Sequence, residues 1–133
     1  MHSIPLFGST IGDPLGDFVI AEWSQEGMVD GKRLLVAPYH IHRHSDEAWY
    51  VLEGTLGVQV DDDVIIARAG DAVFAPKGSK HTYWNPGTET AKYLLVMTKK
   101  TFQLVQAIHN LSDRSHDHLV ALFEQFDSEY LGF

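Results

Sequence analysis

A chain of 133 residues, 44% hydrophobic and 21% charged, fits the prior of about 100–200 residues per domain and can bury a core unaided. It has no cysteine, which excludes a disulfide scaffold, a cysteine nucleophile and a thiolate metal site. With 18 acidic residues against 10 basic ones the net charge is −8, which argues against nucleic acid or an anionic membrane as partner.

The opening residues have no basic stretch and no apolar core, so no secretory leader is expected and the expected location is cytoplasmic. The longest apolar runs, 48–52 and 93–97, are strand-sized and far short of the roughly 20 residues that span a bilayer. Residues 18–23 read as a first strand. Asp30 and Gly31 signal a turn into a strand over 32–37. Residues 48–53 are aromatic and β-branched and end at Gly54. Residues 55–60 alternate, the Asp61–Asp62–Asp63 cluster turns the chain, and 64–67 return it. That cluster lacks the spacing of a calcium loop. Strands follow over 72–75, 80–85 and 91–98, separated by turns at Pro76-Lys77-Gly78 and Asn85-Pro86-Gly87. Short strands between frequent turns predict an all-β sandwich or barrel. From Thr101 the period changes: Phe102, Val105 and Ile108, then Leu119, Leu122, Phe123 and Phe126 after a cap at Ser115, repeat at helical spacing. The expected organisation is a β domain over 1–100, with its core in 18–98, and a helical extension over 101–133 packed on it.

Eight histidines are the compositional oddity, and three of them alternate: His40, His42 and His44. Residues two apart on a strand project to one face, so His40 and His42 can point together into a barrel. The polar stretch 43–46 can break that strand, and Glu47 re-enters on the next. Two imidazoles and a carboxylate suit a divalent first-row metal. A turn at Pro76-Lys77-Gly78 can aim His81 into the same cavity. His109, His116 and His118 lie in the helical tail and are expected to be solvated.

These residues resemble the cupins. His40, His42, Glu47 and Gly54 match that family's first motif: His-x-His, four residues, Glu, six residues, Gly. Gly70, Pro76, Gly78, His81 and Asn85 match the second at every spacing. A chance match to the second motif alone is on the order of one in 10⁵. The segment between the motifs is similar to small bacterial single-cupin proteins, and 47–54 resembles the quercetin-dioxygenase-like branch. The resemblance implies a jelly-roll (double-stranded β-helix) barrel. It also implies His40, His42, Glu47 and His81 as ligands of one divalent metal: iron, manganese, nickel, copper or zinc. His44 is expected at the rim, because pairing it with His42 leaves only two residues before Glu47. Asn85 and Gly78 are expected to hold turn geometry.

Trp49, Phe74 and Tyr83 are candidate lining for a substrate pocket. Tyr83 is a candidate hydrogen-bond or proton donor, and Glu47 a candidate proton shuttle. Three neutral imidazoles and one carboxylate leave a divalent centre near +1, suited to a chelating enolate or carboxylate and, if redox-active, to dioxygen beside it. The leading expectation is a metal-dependent dioxygenase-type enzyme acting on a small organic substrate. The alternatives are a redox-neutral isomerase or lyase and a non-catalytic binding or sensing module. Metal affinity is expected to fall as pH drops through about 6.5. Tyr50 and Leu52, opposite Glu47 and Val51 on the strand, suggest an outer apolar face and a homodimer.

Overall fold

The computed structural model of the protein describes residues 3–28 and 35–133. Its strands in chain order are β1 (Thr10–Gly12), β2 (Phe18–Gln25), β3 (Tyr39–His42), β4 (Glu47–Glu53), β5 (Thr55–Val60), β6 (Asp63–Arg68), β7 (Ala72–Ala75), β8 (Lys80–Trp84) and β9 (Ala91–Thr98). Helices α1 (Lys99–His109) and α2 (His116–Gln125) follow, then β10 (Ser128–Gly132). The turn expected at Asp30 and Gly31 and residues 32–34 of the strand expected over 32–37 lie outside the described residues; in 35–37 the only β-pairing is an isolated bridge from Leu35 to Trp84, so that half is not a strand. No helix among the described residues is long and apolar enough to cross a membrane.

Two five-stranded antiparallel sheets face each other, ordered β1-β2-β9-β4-β7 and β10-β3-β8-β5-β6. Period-two alternation builds the layer between them. In β9, Ala91, Tyr93, Leu95 and Met97 are buried, and the residues between them are half-buried. Trp49 and Val51 from β4 meet Leu56 and Val58 from β5 in the same core. The arrangement is the expected all-β jelly roll with helices at its C-terminal end. Gly57 permits one close approach: a Cβ there would stand 2.3 Å from the ring of Trp84, its cross-strand partner.

The end of β9 runs straight into α1, where the Thr98 hydroxyl accepts from the Thr101 N–H. Leu104 of α1 packs on Leu119 and Phe123 of α2, so the two helices share an apolar seam. Ser115 does stand at the start of α2, but its hydroxyl bonds Nδ1 of His118 instead of capping the helix. The sequence period gave no sign of β1 or β10. The latter pairs with β3, setting Ser128 opposite His42 and Tyr130 opposite His40. Thus the C-terminal extension completes a sheet as well as covering the barrel.

Candidate metal centre

His40 and His42 alternate on β3 and are both buried. The adjacent strand β8 sets His81 directly opposite His40. The Pro76-Lys77-Gly78 turn leads into β8 with Gly78 at φ 83°, a left-handed backbone that favours glycine. The Gly78 N–H donates to the His42 carbonyl at 2.8 Å, locking the turn to the strand that carries His40 and His42. Glu47 opens β4 in the facing sheet and reaches across, so the four side chains converge from both layers. One donor atom from each of His40, His42, Glu47 and His81 lies within 4.8 Å of all the others.

Hydrogen bonding sets the imidazole tautomers. Nδ1 of His40 is 2.6 Å from the Pro38 carbonyl, which can only accept, so Nδ1 carries the proton and Nε2 is bare. Nδ1 of His42 is 2.7 Å from the Ser128 hydroxyl, which itself donates to the Phe126 carbonyl. Ser128 has one proton and has spent it, so it accepts from Nδ1–H of His42. Nε2 of His42 is then an unprotonated lone pair, and it is buried with no hydrogen-bond partner. An orphaned buried acceptor beside a carboxylate fits a cation. Nε2 of His81 bonds Glu47 at 2.7 Å, and Nε2 of His42 stands 4.0 Å from the same oxygen.

Burial, reinforced by the neighbouring His81 and His42, pushes His40 down from 6.5 to about 3. Burial likewise lowers His42. For Glu47 burial acts upward, but the His81 hydrogen bond and the surrounding imidazoles outweigh it and bring the carboxyl to about 2. At neutral pH the pocket therefore holds an ionised carboxylate beside neutral His40 and His42. A buried charge of that kind calls for an opposite one. The nitrogen-rich donor set suits iron, manganese, nickel, copper or zinc over calcium or magnesium.

A cavity of about 650 Å³ opens beside the cluster, lined by His40, His42 and Glu47 and by both helices. Tyr83 lines it, and its hydroxyl lies 2.9 Å from that of Tyr93, which lines it too. Burial raises both phenols, Tyr93 to about 12, so both remain protonated. Tyr93 was hidden within an apolar strand run; its inward parity on β9 is the signal that could have found it.

Trp49 is buried edge-on against His81, with centroids 5.6 Å apart, and backs the site without lining the cavity. Phe74 does not join them. It pairs with Ala48 on the outer face and is 58% exposed, because its neighbours Val73 and Ala75 take the inward positions opposite Trp49 and Glu47. His44 sits exposed at the rim, paired with Asp127. Asn85 is structural as expected, bonding the Gln25 and Glu89 carbonyls and the Gly87 N–H. Two contacts went unforeseen: Phe123 of α2 stands edge-on to His40 at 5.9 Å, and Ser128 of β10 orients His42.

Residues 32–97 match the family described as Cupin_2: Cupin domain. With both motifs and the two-sheet fold in place, the chain carries a cupin domain. Over 61 residues, 42% of this chain, it is 34% identical to a mannose-1-phosphate guanylyltransferase of Sinorhizobium fredii, of which it spans only 12%. Among solved structures it is similar to a sugar phosphate isomerase from a cupin superfamily of Silicibacter pomeroyi. That likeness has 25% identity and TM-score 0.55, covering 65% of this chain and 53% of that one. It is also similar to a cupin-2 domain containing protein of Shewanella frigidimarina, with 25% identity and TM-score 0.51, covering 65% of this chain and 76% of that one.

Proposed function

We propose that the protein is a metalloenzyme of oxygenase type, with His40, His42, Glu47 and His81 holding one divalent first-row ion against a small organic substrate. The observation that carries this is the orphaned Nε2 of His42, set among three other buried donors at the wall of a cavity. The bound ion would supply Lewis-acid polarisation and, if redox-active, reaction with dioxygen. The chain's own residues do the rest. Two hydroxyls 2.9 Å apart share one proton between them, so the Tyr83–Tyr93 pair keeps one O–H free to donate to a substrate oxygen. Glu47 is the carboxylate placed to take or return a proton. Leu104 of α1 and Leu119 and Phe123 of α2 give the cavity an apolar wall beside these groups.

A second reading is a redox-neutral isomerase using the ion as Lewis acid alone, favoured by the likeness to the Silicibacter pomeroyi sugar phosphate isomerase. Elemental analysis of protein purified without a nickel column, with oxygen uptake on a panel of enols, diketones and flavonols, separates the two. Uptake tied to turnover and lost in His81→Ala supports the oxygenase. Turnover without oxygen, sustained by zinc, supports the isomerase. Metal-dependent binding with no turnover supports a sensing module.

The homodimer belongs to the same proposal: Phe18, Tyr50 and Phe74 stand exposed on the outer face of the first sheet. Light scattering that gives twice the chain mass for the wild type and a single chain for Phe74→Asp supports it. Monomeric wild type refutes it.

A further inference from the structure

The cavity has two unlike ends. One is the four-donor cluster. The other is formed where α1 gives way to the loop before α2, at His109 and Arg114. Arg114 is the only lysine or arginine that lines the cavity among the described residues. It is exposed and has no side-chain hydrogen-bond or ion-pair partner there. A guanidinium that is always charged, placed on a cavity wall and left unpaired, is a ready anchor for a carboxylate.

Between these ends the helical wall is mostly apolar. Thr101, Leu104, Val105, Ile108 and His109 all line the cavity, and their spacing places them on one face of α1. Leu119 and Phe123 of α2 oppose them. The helix starts beside the cluster, because Met97, two residues before it, is the cross-strand partner of Glu47. From Thr101 to His109 it advances eight residues, about 12 Å. That length separates a chelating head from a charged tail.

We propose that the cavity takes an elongated, apolar-bodied organic acid whose carboxylate is held at Arg114, in the loop beyond the far end of α1 from the four-donor cluster. This substrate class rests on the metalloenzyme assignment for its chelating head, but the tail anchor does not need the ion. Glu22 also lines the cavity, from β2, so an amine is the charge-reversed competitor.

The test is calorimetric binding to EDTA-treated protein, using phenylbutyrate, its neutral amide, phenylbutylamine and a hexose phosphate. The expected result is saturable binding of phenylbutyrate at millimolar or lower concentration and weaker binding of the amide. Arg114→Met should weaken the acid about tenfold and leave the amide unchanged. Arg114 is exposed, and an unchanged melting temperature in the variant confirms that the fold does not depend on it. Arg114→Met should still take up metal as the wild type does by elemental analysis, so loss of the metal site and loss of the acid subsite register separately. The proposal is overturned if the acid and amide bind equally or Arg114→Met is silent. It is equally overturned if the amine or hexose phosphate binds tighter than the acid, or if no arylalkanoate binds at millimolar concentration.

Discussion

Glu47 and His81 meet at 2.7 Å between the two sheets, and Arg43, just past β3, meets Glu124 of α2 at the same 2.7 Å. The first pair is 6% and 2% exposed, the second 33% and 53%. The distances match, but the consequences differ. Water cannot replace a lost partner inside the barrel, so Glu47 without His81 is a buried, uncompensated charge. On the surface, solvent takes over whatever Arg43 or Glu124 releases. The barrel holds a buried carboxylate that must be answered by its hydrogen-bond partner or by a cation, and the Arg43–Glu124 pair is a weaker, replaceable contact outside it.

Removing the inner partner should be the largest effect. In metal-free protein, His81→Ala should cost about 3–5 kcal/mol by urea denaturation. It should also drop bound metal from one ion per chain to a trace in elemental analysis. A stability within experimental scatter of wild type would show that the buried pair does not matter and would erase the contrast.

Acid should come next. The unfolded chain protonates His40 near 6.5, whereas the folded protein does so only near 3. Over that window the unfolded state binds more protons, so the stability of the metal-free protein falls as pH drops from about 6.5 toward 3. His40 alone accounts for about 2 kcal/mol between pH 7 and pH 5. Glu47, protonated near 4.5 when unfolded and about 2 when folded, extends the loss in the same direction at lower pH. Thermal melts of metal-free wild type and His40→Asn should show the slope in the first and a shallower one in the second. The depression of His40 and His42 also corrects the expectation from free imidazole: proton competition with the metal at these two ligands should set in below 6.5, which metal titration between pH 5 and pH 8 will show.

Ser128→Ala should be smaller still. The hydroxyl that accepts from Nδ1–H of His42 disappears, the ring loses its fixed tautomer, and metal affinity should weaken about tenfold while the fold persists. Ser128→Thr, which keeps the hydroxyl, should restore it; equal affinity in all three proteins would remove Ser128 from the site. The smallest effect should come from Arg43→Ala, whose melting temperature should be indistinguishable from wild type despite the two hydrogen bonds to Glu124. A large shift there would mean that the clamp on α2 is cooperative with the barrel.

Much of the site was legible before any coordinates. His40 and His42 share a face because a strand repeats every two residues, and the spacings to Glu47 and His81 resemble one family's two motifs. Phe74 shows where the residue list stops: its aromatic character pointed to the pocket, and strand parity turned it outward. Tyr93 is the converse, a polar hydroxyl hidden inside an apolar run until β8 and β9 faced each other. Motifs and periods are local properties of the chain, so the barrel, its turns and its four donors follow from the amino-acid order. The partner of β3, the seat of Phe123 over His40 and the meeting of Ser128 with His42 join residues more than eighty positions apart. Nothing in the local pattern encodes them; they exist because β10 had an open strand edge to fill and the helices an apolar face to bury, and only the folded structure decides how those needs are met together.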